Sequence, residues 1–362
     1  MNFDLSEEQQ MLAETATRLF DGHVRQAEPD AKAQWRDYQE LGLIALSLPA
    51  ALDGLGGGEE EIMLVMQAYG AACGTAPYLQ SVLLSGRLLA EAGGENGERA
   101  LSALLAGERQ YALCLFEPDS RYRWDEPATR AEQIDNGWRL TGAKVAVCDA
   151  GADSWLICPA AVEGGLGLFL VPPGAAGVAR EEGIAPDGRP SANIRFDGVM
   201  LADDAAIGDP AMNRARLARI VDQAIAACCA EAVGAMEKLL DITVDYMATR
   251  EQFGTAIGTF QALQHRAADM LVEIEQARSI TIYAISMMAA PEAERHVAVS
   301  AAKALVNRAS RFVGCEAVQL HGGMGLTSEY PAGRFFQRLT TLENLFGDTH
   351  HHLCEVERGG GV

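Results

Sequence analysis

The feature that most constrains this chain is a change of hydrophobic period, made twice. Up to about residue 108 apolar residues recur at helical spacing. From Tyr111 they come instead in short runs, at 111–116, 138–140, 144–148, 155–159, 166–171 and 192–196, separated by Gly, Pro, Asp and Asn. After Asp209-Pro210 the helical spacing returns, with Leu217, Ile220, Val221, Ala224, Ile225, Cys228, Val233, Met236 and Leu240 in a pattern that opens at Asn213. A chain of 362 residues is long enough for several cores. The expected architecture is therefore α+β in the order α, β, α: helical over 1–108, a β barrel or sandwich over 109–209, and helical over 210–362.

Local signals place the elements. Ser6 and Gln9 have capping-box spacing and precede a stripe of Leu12, Ala16, Leu19 and Phe20. A second helix carries Trp35, Tyr38 and Leu41 and ends in a turn around Pro49 and the glycines of 54–58. Helices over 59–74 and 81–92 are split at Ala76-Pro77, because proline has no N–H to donate. Further helices are expected over 260–290 and 293–313, and a last one from about Gly333 into His350, His351 and His352.

Charge excludes some functions. A formal net charge of -21 opposes a duplex partner, which needs clustered Lys and Arg, so nucleic acid is set aside. An anionic ligand would need arginines gathered locally. The eight cysteines show no CxxC and suggest neither zinc nor disulfides, which fits a reducing, cytoplasmic compartment. The N-terminus lacks a signal-peptide pattern, and the most apolar helical run, 220–236, contains Asp222, Gln223 and Glu231 and cannot span a bilayer. Consecutive histidines on a helix point about 100° apart, so His350 to His352 are not expected to hold a metal. They fit better as stabilisers of a helix end or as a subunit contact.

Two segments could carry chemistry. Arg250-Glu251-Gln252-Phe253-Gly254, followed by Gly258-Thr259-Phe260-Gln261, offers a planar guanidinium to a phosphate; its plainer reading is a helix C-cap with a surface ion pair. Gln319-Leu320-His321-Gly322-Gly323-Met324-Gly325-Leu326-Thr327 is read as a link between two helices, where bare glycine backbone can approach a ligand and a following helix start can offer N–H groups. It is no dinucleotide fingerprint, since no strand precedes it.

Taken together, REQFG with its following FQ, and QLHGGMGLTSEYP with Arg334 and Arg338 behind it, resemble the third-domain signature of the acyl-CoA dehydrogenases. LGLIALSLP, APYLQSVLLSGRLL, Glu117-Pro118 and LTGAKVAVCDAGADSW extend the resemblance over nearly the whole chain. It implies an acyl-CoA dehydrogenase-like fold with an N-terminal helical domain, a middle β-barrel domain and a C-terminal four-helix bundle. It also implies FAD bound between subunits, an acyl-CoA substrate, an electron-transferring flavoprotein as redox partner, and a place in fatty acid or steroid degradation. By the same resemblance Arg250 binds the pyrophosphate, Gln252, Phe253 and Gln261 stand with it, Gln319, Gly322 and Gly323 line its adenosine side, and Thr349 stands near the cofactor.

The sequence also departs from that family. Phe116 replaces a flavin-contacting threonine, and Ala146 and Cys148 replace an aromatic and a threonine. The reaction needs a carboxylate to take the α proton while the β hydride passes to flavin. The family's two slots for it fall at Gly347 and near Ala224, neither of which is acidic, so no catalytic residue is assigned. Asp222, Glu231 and Asp348 are the nearest acids, and each is expected to be a surface or paired group instead. Such a chain resembles the smaller subunit of heteromeric family members acting on steroid side-chain or pimelate-like CoA esters, where a larger homologue supplies flavin ring contacts and base. The alternatives are a self-sufficient homo-oligomer with a relocated base and a non-catalytic assembly protein.

Overall fold

A computed structural model describes residues 5–24, 31–327 and 330–360. Its helices are α1 (Glu7–Val24), α2 (Ala31–Glu40), α3 (Glu59–Ala71), α4 (Arg87–Ala92), α5 (Gly94–Leu105), α6 (Pro210–Thr249), α7 (Gln261–Ser286), α8 (Glu292–His321), α9 (Ala332–Asn344) and α10 (Thr349–Arg358). The strands are β1 (Tyr111–Leu113), β2 (Arg130–Ile134), β3 (Gly137–Cys148), β4 (Trp155–Val162), β5 (Gly165–Val171), β6 (Val178–Ile184), β7 (Pro190–Leu201) and β8 (Ala206–Ile207), with a small hairpin of β9 (Glu251–Gln252) and β10 (Thr255–Ala256). The expected α, β, α order is what the chain adopts. By its contacts the described chain forms two compact units, one of residues 31–57 and 75–224, the other of 5–24, 58–74, 225–327 and 330–360.

The first unit holds the sheet. Strands run β6-β7-β3-β2-β4-β5-β8, and β1 adds to β4 in parallel, giving a mixed eight-stranded sheet. One face wraps a single core that includes Leu140, Leu156, Phe169, Ile194, Phe196 and Val199. Besides the two-residue β8, strands β2 and β6 lie outside the apolar runs read from the sequence. In β2 only Ala131 is buried, and in β6 most side chains are exposed, so ladder hydrogen bonds carry most of their pairing and no hydrophobic period announces them. The helix expected from residue 81 begins at Tyr78, directly after Pro77, as a fully buried π-helical segment, Tyr78–Gly86. Its side chains cover β1: Ser81 Oγ donates to Tyr111 O at 2.8 Å, and Gln80 Nε2 to Leu113 O at 3.0 Å.

A buried ion pair locks the β3 side of the sheet. Lys144 is fully buried, with Nζ 2.7 Å from Glu117 Oε1. Burial alone would raise the Glu117 carboxyl, but hydrogen bonds from Lys144 and Thr129 bring it below its ordinary value.

The second unit is helical. At the α1 start the capping box forms as expected: Gln9 N–H donates to Ser6 Oγ at 3.2 Å, and Ser6 N–H to Gln9 Oε1 at 3.1 Å. Ala16 and Phe20 bury the α1 stripe, and Phe20 meets Tyr69 of α3 edge-on at 5.4 Å. Helices α3 and α6 touch backbone to backbone. A Cβ on Gly70 would lie 1.9 Å from Glu231 O, and one on Gly234 2.0 Å from Gln67 O, so both crossing points require glycine. The last two expected helices are corrected. Helix α8 runs on past Val313 to His321, and the final segment is two helices, because Phe346 (φ 63°) and Gly347 (φ 137°) break it between Asn344 and Thr349.

Glu231 of α6 is wholly buried against Arg338 of α9, with Oε1 2.6 Å from Nε. Arg338→Met should therefore destabilise the protein by about 3 to 5 kcal/mol, because it strands a buried carboxylate, and Glu231→Leu in the same chain should recover most of that loss. Urea unfolding of the single and double variants checks this.

Candidate cofactor site

Helix α6 closes with Arg250 N–H donating to Tyr246 O at 2.8 Å. The chain then turns through the β9–β10 hairpin, in which Gln252 pairs with Thr255 and Glu251 with Ala256. Both loop positions are left-handed, Phe253 at φ 57° and Gly254 at φ 82°. Glycine adopts this freely; phenylalanine does so at a cost of about 1 to 3 kcal/mol. The Phe253 side chain is 94% exposed, and its ring meets that of Phe260 edge-on at 6.2 Å. Arg250, Gln252 and Gln261 are exposed around it. The turn after α6 is thus a projecting aromatic hairpin rather than a simple glycine cap.

The second segment differs from its sequence reading. Gln319 is not in a link: it stands exposed in the last turn of α8, which ends when Gly322 (φ 57°) donates its N–H to Gln319 O. No atom lies within 4 Å of where a Cβ would stand on Gly322 or Gly323, so their backbone is open. Residues 322–326 form a 3₁₀ turn and α9 starts only at Ala332, so a phosphate here would meet glycine-turn N–H groups rather than a helix start. Ser328 and Glu329 of the motif lie outside the described residues.

An aromatic clamp joins the two segments. The Tyr246 and His321 rings are 4.6 Å apart, Tyr330 lies 5.6 Å from Tyr246 and 4.9 Å from His321, and Tyr246 O–H donates to His321 O at 3.4 Å. His321 is buried with Nδ1 2.8 Å from Ala317 O, and burial pushes its pKa down, so the ring is neutral. Arg250, one turn beyond Tyr246, and Gly322, next to His321, therefore share one end of the helical unit. Sequence reasoning missed this clamp; its only trace is the spacing of Tyr246 four residues before Arg250.

Thr349 is not at that end. It opens α10 behind Asp348, whose Oδ1 accepts from His351 N–H at 2.8 Å as an N-cap. The turn before it is tied to the middle of α8: Lys303 Nζ donates to Leu342 O at 2.6 Å, and Asn307 Nδ2 to Glu343 O at 3.1 Å and Gly347 O at 3.4 Å. Asn307 and Gln319 are about 18 Å apart along the helix. One chain thus holds Thr349 and the Arg250 group a long helix segment apart.

Neither slot for a base is acidic or open. Ala224 is 1% exposed, and a Cβ on Gly347 would lie 2.5 Å from the rings of both His351 and His352. His352 is buried with Nδ1 3.2 Å from Ser300 Oγ; burial, with Lys303 and His351 nearby, pushes its pKa down to about 2. The His351 and His352 rings meet edge-on at 5.0 Å, while His350 is exposed. Of the nearest acids, Asp222 is buried rather than on the surface, Glu231 is paired with Arg338 and Asp348 caps a helix. On the sheet unit the Phe116 ring packs edge-on against Tyr122 at 6.2 Å, and Ala146 (φ 51°) donates its N–H to Asn193 Oδ1 at 3.1 Å.

Family models describing the N-terminal and C-terminal domains of acyl-CoA dehydrogenases match residues 6–108 and 216–359, about two thirds of the chain. The chain belongs to the acyl-CoA dehydrogenase family. This is a family of FAD-dependent oxidoreductases acting on CH–CH bonds. Curated relatives include 3-sulfinopropanoyl-CoA desulfinase of Paraburkholderia xenovorans, 27% identical over 92% of this chain and 90% of the relative, and the mitochondrial short-chain specific acyl-CoA dehydrogenase of Sus scrofa, 25% identical over 86% and 78%. Among solved structures, the ChsE4-ChsE5 complex from Mycobacterium tuberculosis has a TM-score of 0.88 at 25% identity, covering 100% of this chain and 99% of that one. The Tcur3481-Tcur3483 steroid acyl-CoA dehydrogenase variant has 0.87 at 26%, with 98% of both chains covered. Among the described residues no helix is long and apolar enough to cross a membrane.

Proposed function

We propose that this acyl-CoA dehydrogenase family member works in the α,β-desaturation of an acyl-CoA thioester as the smaller subunit of a heteromeric enzyme, completing a FAD site shared with a larger homologue. FAD would supply the acceptor for the β hydride. The observation that carries the reading is the separation within one chain of Thr349 from the group around Arg250, since a cofactor bound between subunits would draw these contacts from different chains. The exposed Arg250 guanidinium and the open Gly322-Gly323 backbone suit a pyrophosphate, and exposed Phe253 suits burial by a partner. Phe116 and Ala146 do not suit the polar edge of a flavin ring, having no side-chain hydroxyl to offer. Likeness to two complexes, each named for a pair of proteins, supports the heteromeric form. On this reading the domains are 1–108, 109–209 and 210–362, the compartment is cytoplasmic, and electrons leave to an electron-transferring flavoprotein.

The partner's carboxylate then removes the α proton. Asp222→Asn, Glu231→Gln and Asp348→Asn should each leave turnover of the assembled enzyme within a few-fold, whereas loss of a true base lowers it by roughly 10² to 10⁴. Steady-state kinetics of the three variants at measured flavin occupancy tests this, and a collapse in any one of them with flavin still bound would place the base in this chain.

A further inference from the structure

Between α5 and the ends of β4, β5 and β7, within the sheet unit, lies a cleft of about 450 Å³ that the proposed function does not use. Trp155, Leu170, Pro172 and Leu201 give it an apolar lining. Arg109 lies over the Trp155 ring with its guanidinium carbon 4.4 Å from the centroid. A guanidinium held against an aromatic ring keeps its N–H groups for a ligand, and Arg109 lines the cleft. Arg99 reaches the same cleft from α5, held by Asn96 Oδ1 at 3.1 Å and Asp204 Oδ2 at 2.9 Å. Two arginines against one aspartate make the lining cationic on a chain whose net charge is -21. Long cations are normally scattered over a surface; here two line one concavity whose volume lies in the range of small-molecule sites.

We propose that this cleft binds a small amphipathic anion, a carboxylate or phosphate carried on a flat apolar body. The head would take the free N–H groups of Arg99 and Arg109, and the body would lie against the apolar lining of Trp155, Leu170, Pro172 and Leu201. An acidic protein surrounds the site with repulsive field, so binding depends on both arginines rather than on general attraction.

The test is calorimetric titration of the full chain with phenyl phosphate, benzoate and inorganic phosphate, alongside tryptophan fluorescence. Saturable binding of phenyl phosphate or benzoate is expected, weakened about tenfold or more by Arg99→Gln and by Arg109→Gln. Trp155→Phe should remove the accompanying fluorescence change. Arg99 is largely exposed, so its substitution leaves folding intact and keeps the test sound if Arg109→Gln unfolds the cleft. The tighter of the two organic probes identifies the head group. The proposal is overturned if neither binds saturably up to about 10 mM, if the arginine variants bind undiminished, or if inorganic phosphate binds as tightly as phenyl phosphate.

Discussion

Gly347→Glu, which returns a carboxylate to one of the family's base positions, should destabilise the protein by roughly 3 to 5 kcal/mol and confer no activity on the chain alone. The backbone there has φ 137°, strained for any side chain, and a Cβ would lie 2.5 Å from the rings of His351 and His352. Making room means moving His352 away from Ser300 and disturbing the turn that Lys303 and Asn307 hold by hydrogen bonds. Gly347→Ala should show most of the same loss, because the backbone and the first carbon cause it. Urea unfolding measures the effect. A Gly347→Glu chain with the parent's stability and new dehydrogenase turnover would mean that the slot is open and merely vacant.

Arg250→Lys should cause a marked loss of cofactor. The substitution keeps the charge but loses the planar pair of donors that meets two phosphate oxygens at once, and Arg250 is exposed, so no packing masks the change. Flavin affinity of the assembled enzyme should fall about tenfold, with a larger fall for Arg250→Ala. Flavin released on ultrafiltration, measured by absorbance, reads this directly. Unchanged occupancy would leave Arg250 as no more than the end of a helix. Neither substitution should alter folding, which far-ultraviolet circular dichroism checks.

The parts of the fold legible in the sequence were those with one local cause. The switch of period at Tyr111, the Ser6–Gln9 cap and the break at Pro77 each depend on neighbours within a few residues. Strands β2 and β6 were not legible, because only Ala131 of β2 is buried and β6 pairs mostly exposed side chains with β7. The long reach of α8 was hidden by the expectation that Gln319 to Thr327 form a loop; only at Gly322 does the backbone leave the helix. At the candidate site the residue types were legible but their grouping was not. Arg250 and Gly322 come together through Tyr246, His321 and Tyr330, and Thr349 is held apart by the ties from Lys303 and Asn307 to the turn before it. Those are contacts between helices, which spacing along one helix does not encode.

The shared flavin site is tested most directly by flavin per polypeptide, determined from visible absorbance, for the chain purified alone and after co-expression with a larger family member from the same source. Burying an unpaired flavin edge against Phe116 and Ala146 would cost about 1 to 3 kcal/mol for each lost hydrogen-bond partner. The account therefore predicts a nearly colourless chain alone and a yellow complex holding fewer flavins than chains. One tightly bound FAD per chain in a homo-oligomer would contradict it.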